Sequence, residues 1–260
     1  MKVAFAGTAP LAADVLERLA ESQPIDYVLT RPDAPRGRGR HSGPPPAKVA
    51  AERLGIPVHQ PERPALPEPV DRVVVCAYGL YIPPRLLEQS LWLNVHPSLL
   101  PRWRGAAPVE RAILAGDAET GVTIHRTVAE LDAGPIAAKD AFAIGELDAG
   151  GVYGRAGELA AQQLASVLPD PQFTPQPEEG ATYAAKIAPA ERELDLDDPV
   201  DAWRRVRALS PGIGAWTILE GRRVIVWRAR LEDGVFVPVE VQPDGRRPMG
   251  YEEFVRGLRS

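Results

Sequence analysis

Two polar side chains suited to catalysis lie two residues apart in the segment 93–105, which reads LNVHPSLLPRWRG. They are the amide of Asn94 and the imidazole of His96. Both point the same way if the strand predicted for residues 91–95 continues through them, because side chains alternate along a strand. An amide donor beside a general base suits attack on a carbonyl group, where an oxyanion develops and a proton must leave. The pattern N-x-H also arises by chance, so it does not by itself establish a catalytic site.

A carboxylate that could orient His96 is found in the segment 121–136, which reads GVTIHRTVAELDAGPI. Its Asp132 precedes an Ala-Gly pair, and an aspartate in that place is also typical of a turn. A neighbouring carboxylate raises the pKa of a histidine, so we expect the pKa of His96 to rise from its ordinary value of about 6.5. His125, in the same segment, is interpreted as a structural histidine of a strand.

The elements that must position these side chains follow from the periodicity of the apolar residues. Helices are predicted for residues 11–22, 47–54, 84–89, 107–115, 151–167 and 200–209. Strands are predicted for residues 3–6, 25–29, 70–77, 91–95, 121–127, 136–144, 215–219, 223–229 and 235–241. The alternation of strands and helices in the first half predicts an α/β fold with a doubly wound, Rossmann-like sheet. The last three strands predict a small β-rich domain.

Proline marks the boundary between these two parts. The chain has 28 prolines in 260 residues, about twice the usual share, and the proline-rich segment 169–180 is interpreted as a linker. The sequence therefore predicts a catalytic domain at 1–168, a linker at 169–180 and a small β-rich domain at 181–260.

Composition excludes several classes of protein. Hydrophobic and charged contents of 45% and 25% are ordinary for a globular protein. No apolar run approaches the roughly 20 residues that span a bilayer, so no membrane association is expected. The single cysteine, Cys76, is interpreted as a buried strand thiol, and it fits a reducing cytoplasm. The four histidines are scattered and do not suggest a metal site.

The longer motifs resemble the folate-dependent formyltransferases, whose shared signature reads N-x-H-P-S-L-L-P. Residues 121–134 are similar to the same family's G-V-T-I-H followed by L-D-x-G. The resemblance implies that Asn94, His96 and Asp132 are catalytic. It also implies that the formyl group comes from 10-formyltetrahydrofolate, that a primary amine receives it, and that no metal is required.

The resemblance also indicates where the folate would lie. It implies that the residues Ser98, Leu99, Leu100 and Pro101 lie against the tetrahydrofolate. The segment 77–83, AYGLYIP, is similar to a Y-G-x-x-x-P segment of the family, and the resemblance implies that Tyr78, Gly79 and Leu80 line the pterin pocket. The alternative is a strand-to-loop exit with a buried tyrosine.

Two groups of arginine residues bear on which amine accepts the formyl group. The segment 31–40, RPDAPRGRGR, matches a P-D-x-P-x-G-R-G insertion of the family members that act on tRNA, which implies that Arg36, Arg38 and Arg40 bind tRNA. Arg222 and Arg223 belong to a basic stretch that suits backbone binding by an OB-like domain. The net charge of −5 does not indicate a nucleic-acid-binding protein. A local cluster of positive charge matters more for binding a phosphate backbone than the net charge does.

Three functions are compatible with these motifs. The first is formylation of the initiator methionyl-tRNA by a cytoplasmic, monomeric enzyme that binds no DNA. The second keeps the chemistry but uses a nucleotide-linked amino sugar or glycinamide ribonucleotide as the acceptor. The third is a non-catalytic RNA-binding protein that retains the fold. The C-terminal domain is shorter than in most relatives, which bears on how much tRNA it can contact.

Overall fold

The computed structural model describes residues 1–36 and 41–258. The chain forms two compact units that are interleaved along the sequence. Unit one consists of Met1–Arg104, Gly121–Ala141 and Gly154–Thr182, and unit two consists of Gly105–Thr120, Phe142–Tyr153 and the chain from Tyr183 onward. The segment 169–180 therefore groups with unit one. The division into 1–168, 169–180 and 181–260 stays a prediction.

Fifteen strands and seven α-helices occur within the described ranges. The strands are β1 (Val3–Gly7), β2 (Tyr27–Leu29), β3 (Ala34–Arg36), β4 (His41–Gly43), β5 (Val58–His59), β6 (Arg72–Cys76), β7 (Leu91–His96), β8 (Arg104–Gly105), β9 (Glu119–Arg126), β10 (Ile136–Ala143), β11 (Tyr183–Ala184), β12 (Ala215–Leu219), β13 (Arg222–Glu232), β14 (Val235–Pro243) and β15 (Met249–Gly250). The helices are α1 (Pro10–Ala20), α2 (Pro46–Arg53), α3 (Pro84–Leu87), α4 (Pro108–Ala115), α5 (Ala149–Val167), α6 (Pro199–Leu209) and α7 (Tyr251–Arg256).

A seven-stranded sheet in the order β10-β9-β7-β6-β1-β2-β5 carries the site. Strands β5, β2, β1, β6 and β7 run parallel to one another, and β9 pairs with β7 in the antiparallel direction. Because β1 lies in the middle and later strands are added on both sides, the sheet is doubly wound. The predicted α/β fold with a Rossmann-like sheet is confirmed.

The central strands are apolar because both faces of the sheet are covered. All five residues of β1 are buried, as are residues 73–76 of β6. Helix α1 buries Val15, Leu16 and Leu19, the apolar residues whose spacing predicts it. The turn between β1 and α1 leaves no room for a side chain, since a Cβ at Gly7 would lie 2.6 Å from the Cβ of Ala12.

The pairing of β7 with β9 sets the geometry of the site. In the antiparallel register Asn94 lies opposite His125, and His96 lies opposite Thr123. Directly opposed residues of an antiparallel pair project from the same face of the sheet. The four polar side chains are therefore collected on one face at the carboxyl end of β7.

Unit two contains an antiparallel four-stranded sheet in the order β12-β13-β14-β15, which confirms the β-rich second domain. Helix α6 packs on β13, and Val206, Val224, Val226 and Val241 are fully buried. Within the described part of the chain this sheet has one strand fewer than the five of an OB barrel.

Short elements account for most of the differences from the prediction. The β3–β4 hairpin, β15 and α7 were not predicted; β3, β4 and β15 are three residues long or shorter, and α7 has only six residues. So few residues carry too little hydrophobic periodicity to be recognised. None of the helices in the described ranges is long and apolar enough to cross a membrane.

Candidate active site

The Asn94 amide donates both of its N–H groups inside the site. Its Nδ2 lies 3.0 Å from Nε2 of His125 and 3.2 Å from Oδ1 of Asp132. The other ring nitrogen of His125, Nδ1, lies 3.1 Å from the carbonyl oxygen of Arg126, to which it donates. Nε2 of neutral His125 is therefore an acceptor, which fixes its tautomer.

The imidazole of His96 is held between a backbone carbonyl and a carboxylate. Its Nε2 lies 2.8 Å from the carbonyl oxygen of Trp103 and must donate, since a carbonyl only accepts. Its Nδ1 lies 3.6 Å from Oδ2 of Asp132. Neutral His96 therefore keeps its lone pair on Nδ1, and a proton taken up there would face the Asp132 carboxylate.

Burial decides the charge of His96. The side chain is 5% exposed, and desolvation lowers its pKa from 6.5. The Asp132 carboxylate opposes this shift, and His125 adds to it. The expectation that Asp132 would raise the pKa of His96 is wrong in its net sign, because the loss of hydration outweighs the carboxylate. The imidazole is therefore neutral near pH 7 and able to accept a proton.

Asp132 occupies a tight loop whose backbone is unusual. Its φ of +50° lies in the left-handed region, which is rare outside glycine. Two residues on, a Cβ at Gly134 would collide with the carbonyl oxygen of Arg126. The L-D-x-G motif therefore needs its glycine for close approach to β9, and this approach brings the Asp132 carboxylate to Asn94 and His96.

The predicted folate residues 98–101 form a loop that Thr123 holds. Thr123 Oγ1 donates to the carbonyl oxygen of Ser98 at 2.7 Å and accepts from the backbone N–H of Leu100 at 3.1 Å. The side chains of Ser98 and Leu100 are fully buried, whereas Leu99 and Pro101 are partly exposed. The exposed surface of this loop is thus provided by Leu99 and Pro101.

Tyr78 lies in the hydrophobic core rather than on an open surface. Its ring is 2% exposed and packs in a cluster with Ala4, Leu29 and Trp92. Its hydroxyl has no hydrogen-bond partner among the described residues, and burial raises its pKa to about 12. The buried tyrosine that the sequence left as an alternative describes its side chain better. Gly79 is exposed and Leu80 is half-buried.

The predicted tRNA-binding arginines fall into two groups. Arg36 ends β3, and Arg38 and Arg40 lie outside the described residues. Arg222 and Arg223 are exposed on β13. The Arg223 guanidinium stacks on Trp216 at 4.5 Å and lies 3.4 Å from the Asp244 carboxylate.

His125 is the residue that the sequence interpretation missed. The sequence predicts a structural histidine of a strand, whereas its Nε2 accepts from Asn94 and lies 3.6 Å from Oδ1 of Asp132. The sequence signal for this contact is the alternation of side chains along a strand, which places Thr123 and His125 on one face of β9. Only the register with β7 shows that this face carries the site.

The arrangement suits transfer of an acyl group. Asn94 offers N–H donors for a developing oxyanion, His96 offers a neutral base, and Asp132 can stabilise the imidazolium. Within the described residues, no group of three or more His, Cys, Asp or Glu side chains could hold a metal ion.

Comparison with known proteins places the chain in a family. The sequence pattern of the family Formyl transferase matches residues 1–168, and that of Formyl transferase, C-terminal domain, matches residues 186–236. The methionyl-tRNA formyltransferase of Paracoccus denitrificans is 40% identical, over 99% of this chain and 98% of the relative. The 292 aligned positions exceed the 260 residues of the chain, so the relative has segments that this chain lacks.

Solved structures share the fold at lower identity. HypX from Aquifex aeolicus in complex with tetrahydrofolic acid has a TM-score of 0.69 and 19% identity over 98% of this chain, which spans about half (47%) of that protein. The methionyl-tRNA formyltransferase from Clostridium thermocellum has a TM-score of 0.66 and 17% identity, over 94% of this chain and 98% of that one. The chain therefore belongs to the formyl transferase family, among the methionyl-tRNA formyltransferases.

Proposed function

We propose that this protein transfers a formyl group from 10-formyltetrahydrofolate to the α-amino group of initiator methionyl-tRNA, in the cytoplasm. The observation that carries the proposal is the contact of Asn94, His96 and Asp132 in one buried network. The full-length identity of 40% to a methionyl-tRNA formyltransferase supports the choice of acceptor.

The reaction begins with attack by the neutral amine on the formyl carbon. A C–N bond forms, and the formyl oxygen becomes an oxyanion that an Asn94 N–H stabilises. Both N–H groups are already engaged, by His125 and Asp132. The bond to the ring nitrogen of His125 is the one exchanged for a bond to the oxyanion, which costs little because a charged oxygen is a stronger acceptor than a ring nitrogen.

His96 takes up the proton that the attacking nitrogen loses. Its Nε2–H stays on the Trp103 carbonyl, so Nδ1 receives the proton and the imidazolium faces Asp132. When the tetrahedral intermediate collapses, the bond from the formyl carbon to N10 of the folate breaks. N10 leaves with a proton, which His96 can return, so the base is regenerated for the next cycle.

The folate is proposed to lie along the exposed edge formed by Gly79, Leu80, Leu99 and Pro101, beside the network. Of the predicted folate-binding residues these four offer accessible surface. The buried residues Ser98, Leu100 and Tyr78 would then support the residues that contact the folate.

The tRNA is proposed to contact the arginine segment 31–40 and the β-rich domain. The base of that segment is anchored, since Asp33 accepts from Lys48 at 3.0 Å and from Gln60 at 2.7 Å. On β13, Arg222 and Arg223 are exposed and accessible to a phosphate backbone.

A competition assay tests the acceptor. The protein is mixed with labelled 10-formyltetrahydrofolate and equal concentrations of methionyl-tRNA, a nucleotide-linked amino sugar and glycinamide ribonucleotide. Transfer to methionyl-tRNA alone is expected. Transfer to a small amine and none to tRNA would refute the proposal.

The arginine segment is tested by a pair of variants. Arg38→Ala should raise KM for methionyl-tRNA and leave folate binding unchanged. Arg63→Ala, which removes an exposed arginine outside the proposed surface, is the matched control and should change neither. Equal tRNA kinetics of Arg38→Ala and wild type would refute the role of the segment.

A further inference from the structure

The proline-rich segment 169–180 packs on the rest of unit one. The backbone N–H of Ile136 donates to the carbonyl oxygen of Thr174 at 2.7 Å, and the reverse bond measures 2.9 Å. This reciprocal pair fastens the segment to the start of β10. The side chain of Gln176, two residues later, is thereby brought to the loop that carries Asp132.

The side chain of Gln176 donates hydrogen bonds to the backbone of that loop. Its amide nitrogen donates to the carbonyl oxygen of Asp132 at 2.8 Å and to that of Gly134 at 2.6 Å. An amide nitrogen has two N–H groups, so both are spent on the two carbonyls. One side chain thus spans the left-handed turn in which Asp132 has a φ of +50°.

A buried arginine holds the other end of the Gln176 amide. Oε1 of Gln176 accepts from Nε of Arg104 at 3.2 Å and from Nη2 at 3.0 Å. The Arg104 side chain is 1% exposed. A cation bonded to the amide oxygen makes the amide N–H groups stronger donors, because linked hydrogen bonds polarise one another.

We propose that Gln176 is a positioning residue for formyl transfer, which holds the Asp132 carboxylate against Asn94 and His96. This inference rests on the proposed function for its kinetic consequence only. Gln176 acts through the backbone of Asp132 and does not touch the reacting atoms. Without it, the left-handed turn loses two of the bonds that stabilise it, and the carboxylate moves away from the imidazole.

Two substitutions separate hydrogen-bond donation from packing. Gln176→Ala removes the amide. Gln176→Glu keeps its size and its bond to Arg104 but presents an oxygen to the two carbonyl oxygens, so it cannot donate. The matched control is Gln163→Ala, which removes another buried glutamine that donates to a backbone carbonyl, that of Val122, away from the Asp132 loop.

Two readouts are required. Steady-state kinetics should show kcat reduced about 10- to 100-fold in both Gln176 variants, as misplacement of a catalytic group by about 1 Å does, with KM for both substrates unchanged. NMR titration of the His96 ring in Gln176→Ala, which adds no charge, should show a lower pKa than in wild type. The groups that face this ring are Asp132, His125 and the Trp103 carbonyl, and the change removes only the effect of Asp132. Gln163→Ala should match wild type in both readouts.

The outcomes distinguish this inference from the proposed function. Full kcat in Gln176→Glu would overturn the positioning role, even if Gln176→Ala fails to fold, and so would an unshifted His96 pKa in folded Gln176→Ala. Equal losses in Gln163→Ala would also overturn it, because the effect would then be general destabilisation. If the wild-type protein transfers no formyl group, the proposed function fails, and the His96 titration still decides the role of Gln176.

Discussion

The amide nitrogen of Asn94 lies 3.0 Å from Nε2 of His125, directly across the antiparallel pair of β7 and β9. Because the Nδ1–H of His125 is bonded to the Arg126 carbonyl, the imidazole presents a lone pair to the amide. His125 thus fixes the direction of an N–H group of Asn94, and the second group points to Asp132. The proposed oxyanion donor is oriented by two acceptors before any substrate binds.

Replacement of His125 should therefore impair catalysis rather than binding. In His125→Phe the ring volume is retained, but the Asn94 amide loses an acceptor and rotates more freely. We expect kcat to fall about tenfold, which corresponds to about 1.4 kcal/mol of transition-state stabilisation. Steady-state kinetics with methionyl-tRNA measure this. His59→Gln, on the exposed edge strand β5, is the control, and equal kcat values for the two variants would argue against the role of His125.

Protonation of His96 should occur below pH 6.5, because burial lowers its pKa. The unfolded chain then binds this proton at a higher pH than the folded protein. Between the two pKa values the unfolded state carries more protons, so the free energy of unfolding falls as the pH drops below 6.5.

In Asp132→Asn the pKa of His96 should fall further, since the carboxylate that stabilises the imidazolium is gone. NMR titration of the ring measures both values, and a wild-type pKa above 6.5 would contradict the desolvation argument.

Arg207 should stabilise unit two rather than bind RNA, although it lies in an arginine-rich part of the sequence with Arg204 and Arg205. Its side chain is buried, donates to the carbonyl oxygen of Leu147 at 2.8 Å and stacks on Trp203 at 4.2 Å. Arg207→Met removes these charge-assisted hydrogen bonds, which are worth about 1.5–3 kcal/mol each. Urea unfolding should show this loss, and Arg228→Met, an exposed control on β13, should not. Equal stability of both variants would refute the structural role.

Cys76 should be unreactive in the native protein. The side chain is fully buried in β6, and burial raises the pKa of its thiol well above the ordinary value. Little thiolate is therefore available for reaction. A chromogenic disulfide reagent should detect no thiol in the native protein and one per chain in denaturant. Stoichiometric reaction of the native protein would show that β6 opens readily.

Local patterns predict the elements that build the sheet and two of the side chains that are proposed to be catalytic. The apolar runs of β6 and β7 identify buried strands, and the period of two places Asn94 and His96 on one face. The role of His125 required the pairing of strands that are distant in sequence, which no local pattern contains.

Two further features depended on the folded environment. The segment around Gln176 is rich in proline, which is typical of a linker, and its attachment depends on two backbone bonds to Ile136. The sign of the His96 pKa shift depends on burial. The sequence shows that Asp132 can be a neighbour, but it does not show how completely the ring is removed from water.

Single-turnover formylation of methionyl-tRNA by the wild-type protein and by Asn94→Ala tests the proposed chemistry most directly. The methionine is released from the tRNA and analysed by mass spectrometry for an added formyl group. The wild-type protein should produce N-formylmethionine from 10-formyltetrahydrofolate. Asn94→Ala should bind methionyl-tRNA as tightly but transfer the group about 10²–10³ times more slowly, as loss of an oxyanion donor does in other acyl transfers. Transfer at the wild-type rate by Asn94→Ala would contradict the assigned site.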